Sequence, residues 1–127
     1  MKITGYMDAL KAALSSTYSV LEGTIDEATE QGYPDTFVCV ADSAAEFEPV
    51  ESYRTNMTTY TVLVGLQFYA IEDAYTQARI MRDDIISTIA GTKYDGCDTI
   101  VNGWERMEST TNRARYQITI TIQTYEE

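Results

Sequence analysis

Apolar residues along the chain fall into strand-like and helix-like stretches, and the clearest strand comes last. From Tyr116 to Tyr125 apolar and polar residues alternate without a slip. In an extended strand Tyr116, Ile118, Ile120 and Ile122 share one face, and Gln117, Thr119, Thr121 and Gln123 share the other. The stretch "TTYTVLVGLQFYA" repeats the device, with Tyr60, Val62, Val64, Leu66 and Phe68 opposite Thr61, Leu63, Gly65, Gln67 and Tyr69. "TFVCVA", residues 36–41, is almost continuously apolar, as expected of a strand covered on both sides or paired centrally. A weaker strand near "TIVNGWERME" holds Asn102-Gly103, which is a tight turn or a bulge, and Trp104, expected to anchor in the core.

Two stretches carry helical spacing instead. Ile3, Met7, Leu10, Leu14, Tyr18 and Leu21 recur every three or four residues and form one stripe, with Gly23 as a plausible stop. Ala74, Ala78, Met81, Ile85 and Ile89 form the second stripe, between a fair N-cap at Asp73 and an end at Gly91. "TIDEATEQGYPD" reads as mostly loop, with room for a short helical turn near Asp26 to Gln31. Between the first two strands lies "DSAAEFEPVESYRTNM", interrupted by Pro49. Proline cannot donate to a ladder, so residues 43–57 are expected to form an arm, a long hairpin or an edge. The order helix, strand, strand, helix, strand, strand predicts an α+β two-layer sandwich. Its four-stranded, largely antiparallel sheet would carry both helices on one face, in a single domain over residues 1–127.

Composition narrows the function more than it specifies it. A chain of 127 residues is one ordinary domain. No apolar run reaches the ~18–20 residues of a membrane span, and Asp8 and Lys11 interrupt the opening stretch where a signal peptide would be continuously apolar. Nine basic residues against twenty acidic ones give a net charge of −11. Such a surface is unsuited to gripping nucleic acid, although it would let nucleic acid slide past. Simple solubility explains the acidity equally well. Cys39 and Cys97 form no C-x-x-C pair and are expected to be free thiols, Cys39 in the core.

The usual signatures of catalysis do not assemble. The chain has no histidine, so Ser-His and Cys-His nucleophile pairs are excluded. Neither G-x-G-x-x-G nor a Walker loop occurs. Asp83 and Asp84 are neighbours on one helix and diverge by about 100°, so they fit solvated surface better than a shared proton or metal. The acidic loop at Asp26, Glu27 and Glu30 has Ala28 and Gln31 where calcium ligation needs other residues. No catalytic residue, metal or cofactor is expected.

Surface composition points toward protein contacts. Ten tyrosines stand against one tryptophan and three phenylalanines, and tyrosine suits interfaces because it buries area while keeping a polar tip. Arg54, Arg113 and Arg115 flank strand beginnings. They either blunt sheet edges and pair with the acidic excess, or dock against acidic neighbours of the same protein. The arm adds Phe47, Val50 and Tyr53 without obvious cover. Gln117, Thr119 and Thr121 lie on an uncharged strand face in an otherwise acidic protein, which suits a surface turned to a neighbour or a lumen. Together these nine residues are the expected subunit interface.

The succession of an opening amphipathic helix, "YPDTFVCVAD", an arm ending "YRTNMTTYTVLVGLQFYA", then "EDAYTQARIMRDDIISTI" and a closing "RARYQITITIQTYEE" resembles a known family. It is similar, over nearly the whole chain, to the small tail-terminator (tail-completion) proteins of long-tailed bacteriophages and related viruses. The resemblance lies in element order and lengths and in the strand-to-helix "D-A-Y…R-D-D-I" passage, without an invariant signature. It implies a virion protein, made in the host cytoplasm, that forms a ring of six. Such a ring caps the tail tube, stops its polymerisation and offers a surface to a head-side connector or head-closure protein, with DNA passing through the lumen. Two alternatives stand beside it: another neck or tail component, such as a head-closure or tube-adaptor subunit, and a small-ligand-binding α+β module.

Overall fold

The computed structural model describes residues 2–30, 35–50, 55–94, 96–110 and 112–126. Its elements run α1 (Lys2–Ser15), β1 (Val20–Glu22), α2 (Ile25–Glu30), β2 (Phe37–Val50), β3 (Thr55–Tyr69), α3 (Ala74–Gly91), β4 (Cys97–Arg106) and β5 (Arg113–Glu126). The strands form one five-stranded mixed sheet in the order β1-β2-β3-β5-β4. β1 runs parallel to β2, and the remaining pairs are antiparallel.

This corrects the expected four-stranded sheet with two helices, and the correction begins where α1 stops. The apolar spacing continues to Tyr18 and Leu21, but the helix ends at Ser15. Ser15 and Ser16 donate their hydroxyls back to the Lys11 and Ala13 carbonyls, and Tyr18 N–H closes the last turn on Leu14 O at 2.9 Å. Serine and β-branched residues are poor helix formers, so "SSTYSV" yields the backbone to another use. Val20, Leu21 and Glu22 pair instead with Val38, Cys39 and Val40, giving β2 a partner on its outer side. Gly23 therefore follows a strand rather than a helix, its N–H held by Val40 O at 2.9 Å.

Two clusters of buried side chains show how the layers form. The larger joins Tyr6, Leu10 and Leu14 of α1 and Ala78, Met81, Ile85 and Ile89 of α3 to Val38, Val40, Val62, Val64, Leu66, Ile118, Ile120 and Ile122. The helical stripe of α3 and the apolar face of β5 are buried as their spacing requires. The smaller cluster lies on the opposite side of the sheet, where Ile25 and Ala28 of α2 meet Phe37 and Cys39. Gly65 makes that contact possible: a Cβ there would lie 2.5 Å from Ile25 Cγ1. Residues 37–40 are thus covered on both faces, the first by α1 and α3, the second by α2.

Beyond Ala41, β2 and β3 continue together as a long hairpin, paired from Ala44↔Thr61 to Val50↔Thr55 after a register shift between Asp42 and Ala44. Pro49 is accommodated because β2 has outgrown β1 and pairs only with β3 there. In β4, Asn102 is the extra residue of a bulge between Val101 and Gly103. Asp73 occupies the N-cap position of α3 with φ 58°, yet its side chain makes no capping hydrogen bond. No helix among the described residues is long and apolar enough to cross a membrane.

Candidate functional site: the sheet edges and the uncovered face

Strand register decides what the sheet presents to its surroundings. Thr59, Thr61 and Leu63 of β3 lie directly across from Gln123, Thr121 and Thr119 of β5, on the face away from α1 and α3. β4 continues that face with Asp98, Ile100 and Glu105, opposite Gln123, Thr121 and Gln117. α2 covers only the end near Gly65, so the rest of this face is a broad, mostly uncharged Thr/Gln surface. Its polar groups are partly tied together: Asn102 Nδ2 donates to Thr121 Oγ1, and Gln117 Nε2 reaches Glu105 Oε1 at 3.5 Å.

The nine expected interface residues do not form one patch. Gln117, Thr119 and Thr121 are half-buried in the middle of the uncovered face. Phe47 is 69% exposed but pairs with Thr58 on the helix side of β2. Arg113 and Arg115 lie at the far end of β5 and are engaged within the chain. Arg113 meets Asp35 Oδ1 at 3.0 Å and sits 5.1 Å from the Tyr69 ring. Arg115 Nε donates to Gln67 Oε1 at 2.7 Å, and the buried Gln67 in turn donates to the Asp35 carbonyl, also at 2.7 Å. Both arginines thereby fasten the segment that precedes β2 to the centre of the sheet. Tyr53, Arg54 and the side chain of Val50 lie outside the described residues.

Trp104 departs most from expectation. Instead of anchoring the core it is 49% exposed on β4, an edge strand. Its ring meets Tyr116 edge-on, with centroids 5.3 Å apart and planes at 86°. The Arg82 guanidinium lies 4.0 Å from the Trp104 ring centroid and 4.9 Å from that of Tyr116, and its Nε reaches Asp83 Oδ1 at 3.1 Å. Arg106 repeats the motif over Tyr75 at 4.2 Å. Arginine stacking on aromatic faces is worth about 0.5–1 kcal/mol at exposed sites, so these contacts chiefly hold the rings in place. A shallow hollow of about 290 Å³ opens beside Trp104, lined by Asn102, Gly103, Glu105 and Thr119. Gly103 borders it, and a Cβ there would meet nothing within 4 Å. The sequence held a signal for this flank in its polar spacing: Tyr75, Arg79 and Arg82 share one side of α3 at intervals of four and three.

The opposite edge has different chemistry. A cleft of about 320 Å³ between α1 and the β1–β2 edge is lined by Asp8, Glu22, Asp42 and Lys11 together with Ile3, Thr4 and Met7. Lys11 stands 3.7 Å from Asp8 and 3.5 Å from Glu22. Farther along β2, Asp42, Ser43, Ala44, Ala45, Glu46 and Phe47 are all exposed.

Three ionisable groups are displaced from their ordinary behaviour, each chiefly by burial. The Cys39 thiol is pushed up to about 11, with Glu27 adding to the rise and a hydrogen bond from the Gly65 backbone opposing it. The Tyr18 phenol is pushed up to about 12 by burial and by its hydrogen bond to Asp84. Tyr6 is also raised. All three are core or packing groups rather than members of a reactive set, and no group of three His, Cys, Asp or Glu among the described residues could hold a metal ion. What the surface offers is contact area: a face with an uncharged Thr/Gln centre, an acidic edge with an exposed phenylalanine, and an arginine–aromatic edge. No protein-family model matches the chain, and no curated protein sequence matches it.

Proposed function

We propose that this protein is a virion structural protein, a ring-forming tail terminator that caps a tail tube and joins it to the head-side connector while letting DNA pass. The observation that carries the reading is the uncharged Thr/Gln centre of the uncovered sheet face, around Thr61, Thr119 and Thr121, with the acids Glu46, Asp98 and Glu105 confined to the flanking strands β2 and β4 in a chain of net charge −11. The centre of a sheet face that merely met water would be expected to carry part of that charge, whereas a centre turned to a subunit or a lumen has reason to stay neutral. The long β2–β3 hairpin extending beyond the β1 contact supports the same reading, because it exposes a strand edge suited to a neighbour. The function is then geometric: the subunits set the size of a ring, and the overall negative charge discourages passing DNA from sticking.

Negative-stain microscopy of the purified chain tests this. Closed rings that bind the ends of tail tubes and halt their elongation are expected. Particles of subunit size at high concentration, with no affinity for tube ends, would sink the proposal. A small-ligand module is favoured less by the geometry, because the two concavities described above are shallow surface features rather than enclosed pockets.

A further inference from the structure

The two edges of the sheet differ in charge and shape in a way that suits each other. β2 and β4 are separated by β3 and β5, so a contact between them joins different surfaces of two copies head to tail. Heterologous contacts of this kind generate rings when the rotation closes. On the helix side of the β2 edge stand Asp42 and the exposed Phe47, with Glu46 on the reverse. On the helix side of the β4 edge stand Trp104 and Arg106, with Arg79 exposed on α3 beside them. Arg79, Arg82 and Arg106 are three of only nine basic residues in the chain. The acids of α3 and β4 are Asp83, occupied by Arg82, Asp84, bonded by the Tyr18 hydroxyl, and Asp98 and Glu105, which lie on the other face of β4 opposite Gln123 and Gln117.

We propose that a second copy of this chain docks its β2 edge against the β4–α3 flank, packing Phe47 against the exposed Trp104 ring and setting Asp42 toward Arg79 and Arg106 on the same, helix-covered side of the sheet. The inference rests on the ring reading above and names the contact that builds the ring. Tryptophan, tyrosine and arginine are the residue types that most often dominate interface energetics. Here the Trp104 ring is held in place before binding by Arg82 and Tyr116, so little freedom is lost when a partner covers it. Opposite charge on the two edges favours head-to-tail joining and disfavours like-to-like pairing, which would bring two acidic arms together. Phe47 and Trp104 sit in different rows of the sheet, Phe47 level with Thr58 and Thr124, Trp104 level with Ile118 and Val64. Ring closure therefore sets the strands oblique to the ring axis. With the lateral contacts on the edges, the Thr/Gln face is left for the lumen.

Charge exchange between the edges tests the contact. Native mass spectrometry is run on the wild-type chain, on Asp42→Lys, on Arg79→Glu/Arg106→Glu, and on the chain carrying all three changes. Rings are expected from the wild type, subunits from Asp42→Lys and from Arg79→Glu/Arg106→Glu, and rings again from the threefold variant, in which opposite charges face each other once more. Phe47→Ser, a change at an exposed position, is expected to lose the ring while thermal unfolding followed by circular dichroism shows the subunit still folded. Wild-type rings that persist in Asp42→Lys, in Arg79→Glu/Arg106→Glu and in Phe47→Ser overturn this contact while leaving the tail-terminator reading standing. A wild type that forms no ring, free or on tube ends, overturns both.

Discussion

Replacing Gly65 by alanine tests the layer that sequence spacing did not foresee, the seating of α2 on the second face of the sheet. The new methyl would lie 2.5 Å from Ile25 Cγ1, 2.9 Å from Ile25 Cδ1 and 2.7 Å from Cys39 Sγ. Carbon atoms pack at about 3.5–4.0 Å, so α2 must retreat by roughly 1 Å or Ile25 must leave its rotamer. Overpacking of this kind costs about 1–3 kcal/mol, and the backbone gain of alanine over glycine returns about 0.5–1 of it. A net loss of about 1–2 kcal/mol is therefore expected for Gly65→Ala. Ile25 is 4% exposed, and Ile25→Ala alone should cost about 2–3 kcal/mol, toward the low end for such changes because a six-residue helix can settle into the space. Combined, the two changes should cost less than their sum by at least ~1 kcal/mol, since the alanine methyl then occupies the room that Ile25 vacates. Urea unfolding of the four proteins closes this cycle, with midpoints read at constant m. Additivity to within about 0.5 kcal/mol would mean that Ile25 does not lie against Gly65, and the second face would be bare.

Three further expectations concern groups fixed inside the subunit. Cys97 should react readily with a thiol reagent in the native state, whereas Cys39, 1% exposed and with its thiol pushed up to about 11, should react only when the core opens; equal labelling rates would contradict its burial. Because the folded-state value for Cys39 exceeds the unfolded one, its contribution to stability is complete below pH 9.0 and is lost as pH rises through about 11. Urea midpoints should fall across that window, and less steeply in Cys39→Ala. Arg115→Ala should cost about 1–3 kcal/mol by stripping a partner from the buried Gln67, whereas Arg113→Ala, whose pair with Asp35 is exposed, should cost less than ~1 kcal/mol. Equal costs would contradict the distinct placement of the two arginines.

Much of the first face was legible because its spacing had no competitor. The alternation from Tyr116 to Ile122 and the stripe from Ala74 to Ile89 are long enough that burial of one side was the natural outcome. α1 misled for a specific reason: Tyr18 and Leu21 keep helical spacing while their neighbours do not keep helical propensity. Tyr18 leaves the helix to bond Asp84, and Leu21 joins the second cluster. β1 has three residues, too few to carry a period of its own, and its strand character comes from the free edge at Val38–Val40. Trp104 was misplaced because bulk and apolarity suggest a core position. Spacing could not reveal that β4 would be an edge strand, with Arg82 of α3 stacked on its one aromatic ring. The arginines at 113 and 115 illustrate the same limit, since the choice between an internal partner and a neighbour depends on where Asp35 and Gln67 fall in space.

The central claim is that this chain builds a closed ring by joining unlike edges, and the native mass of the purified protein over a wide concentration range tests it most directly. A subunit weighs 14.3 kDa, so a ring of six has a mass of six times that, about 86 kDa. One closed species at that mass, without a ladder of open intermediates at high concentration, is the expected result. A mass that stays at a single subunit throughout, or a symmetric dimer that grows no further, would contradict it.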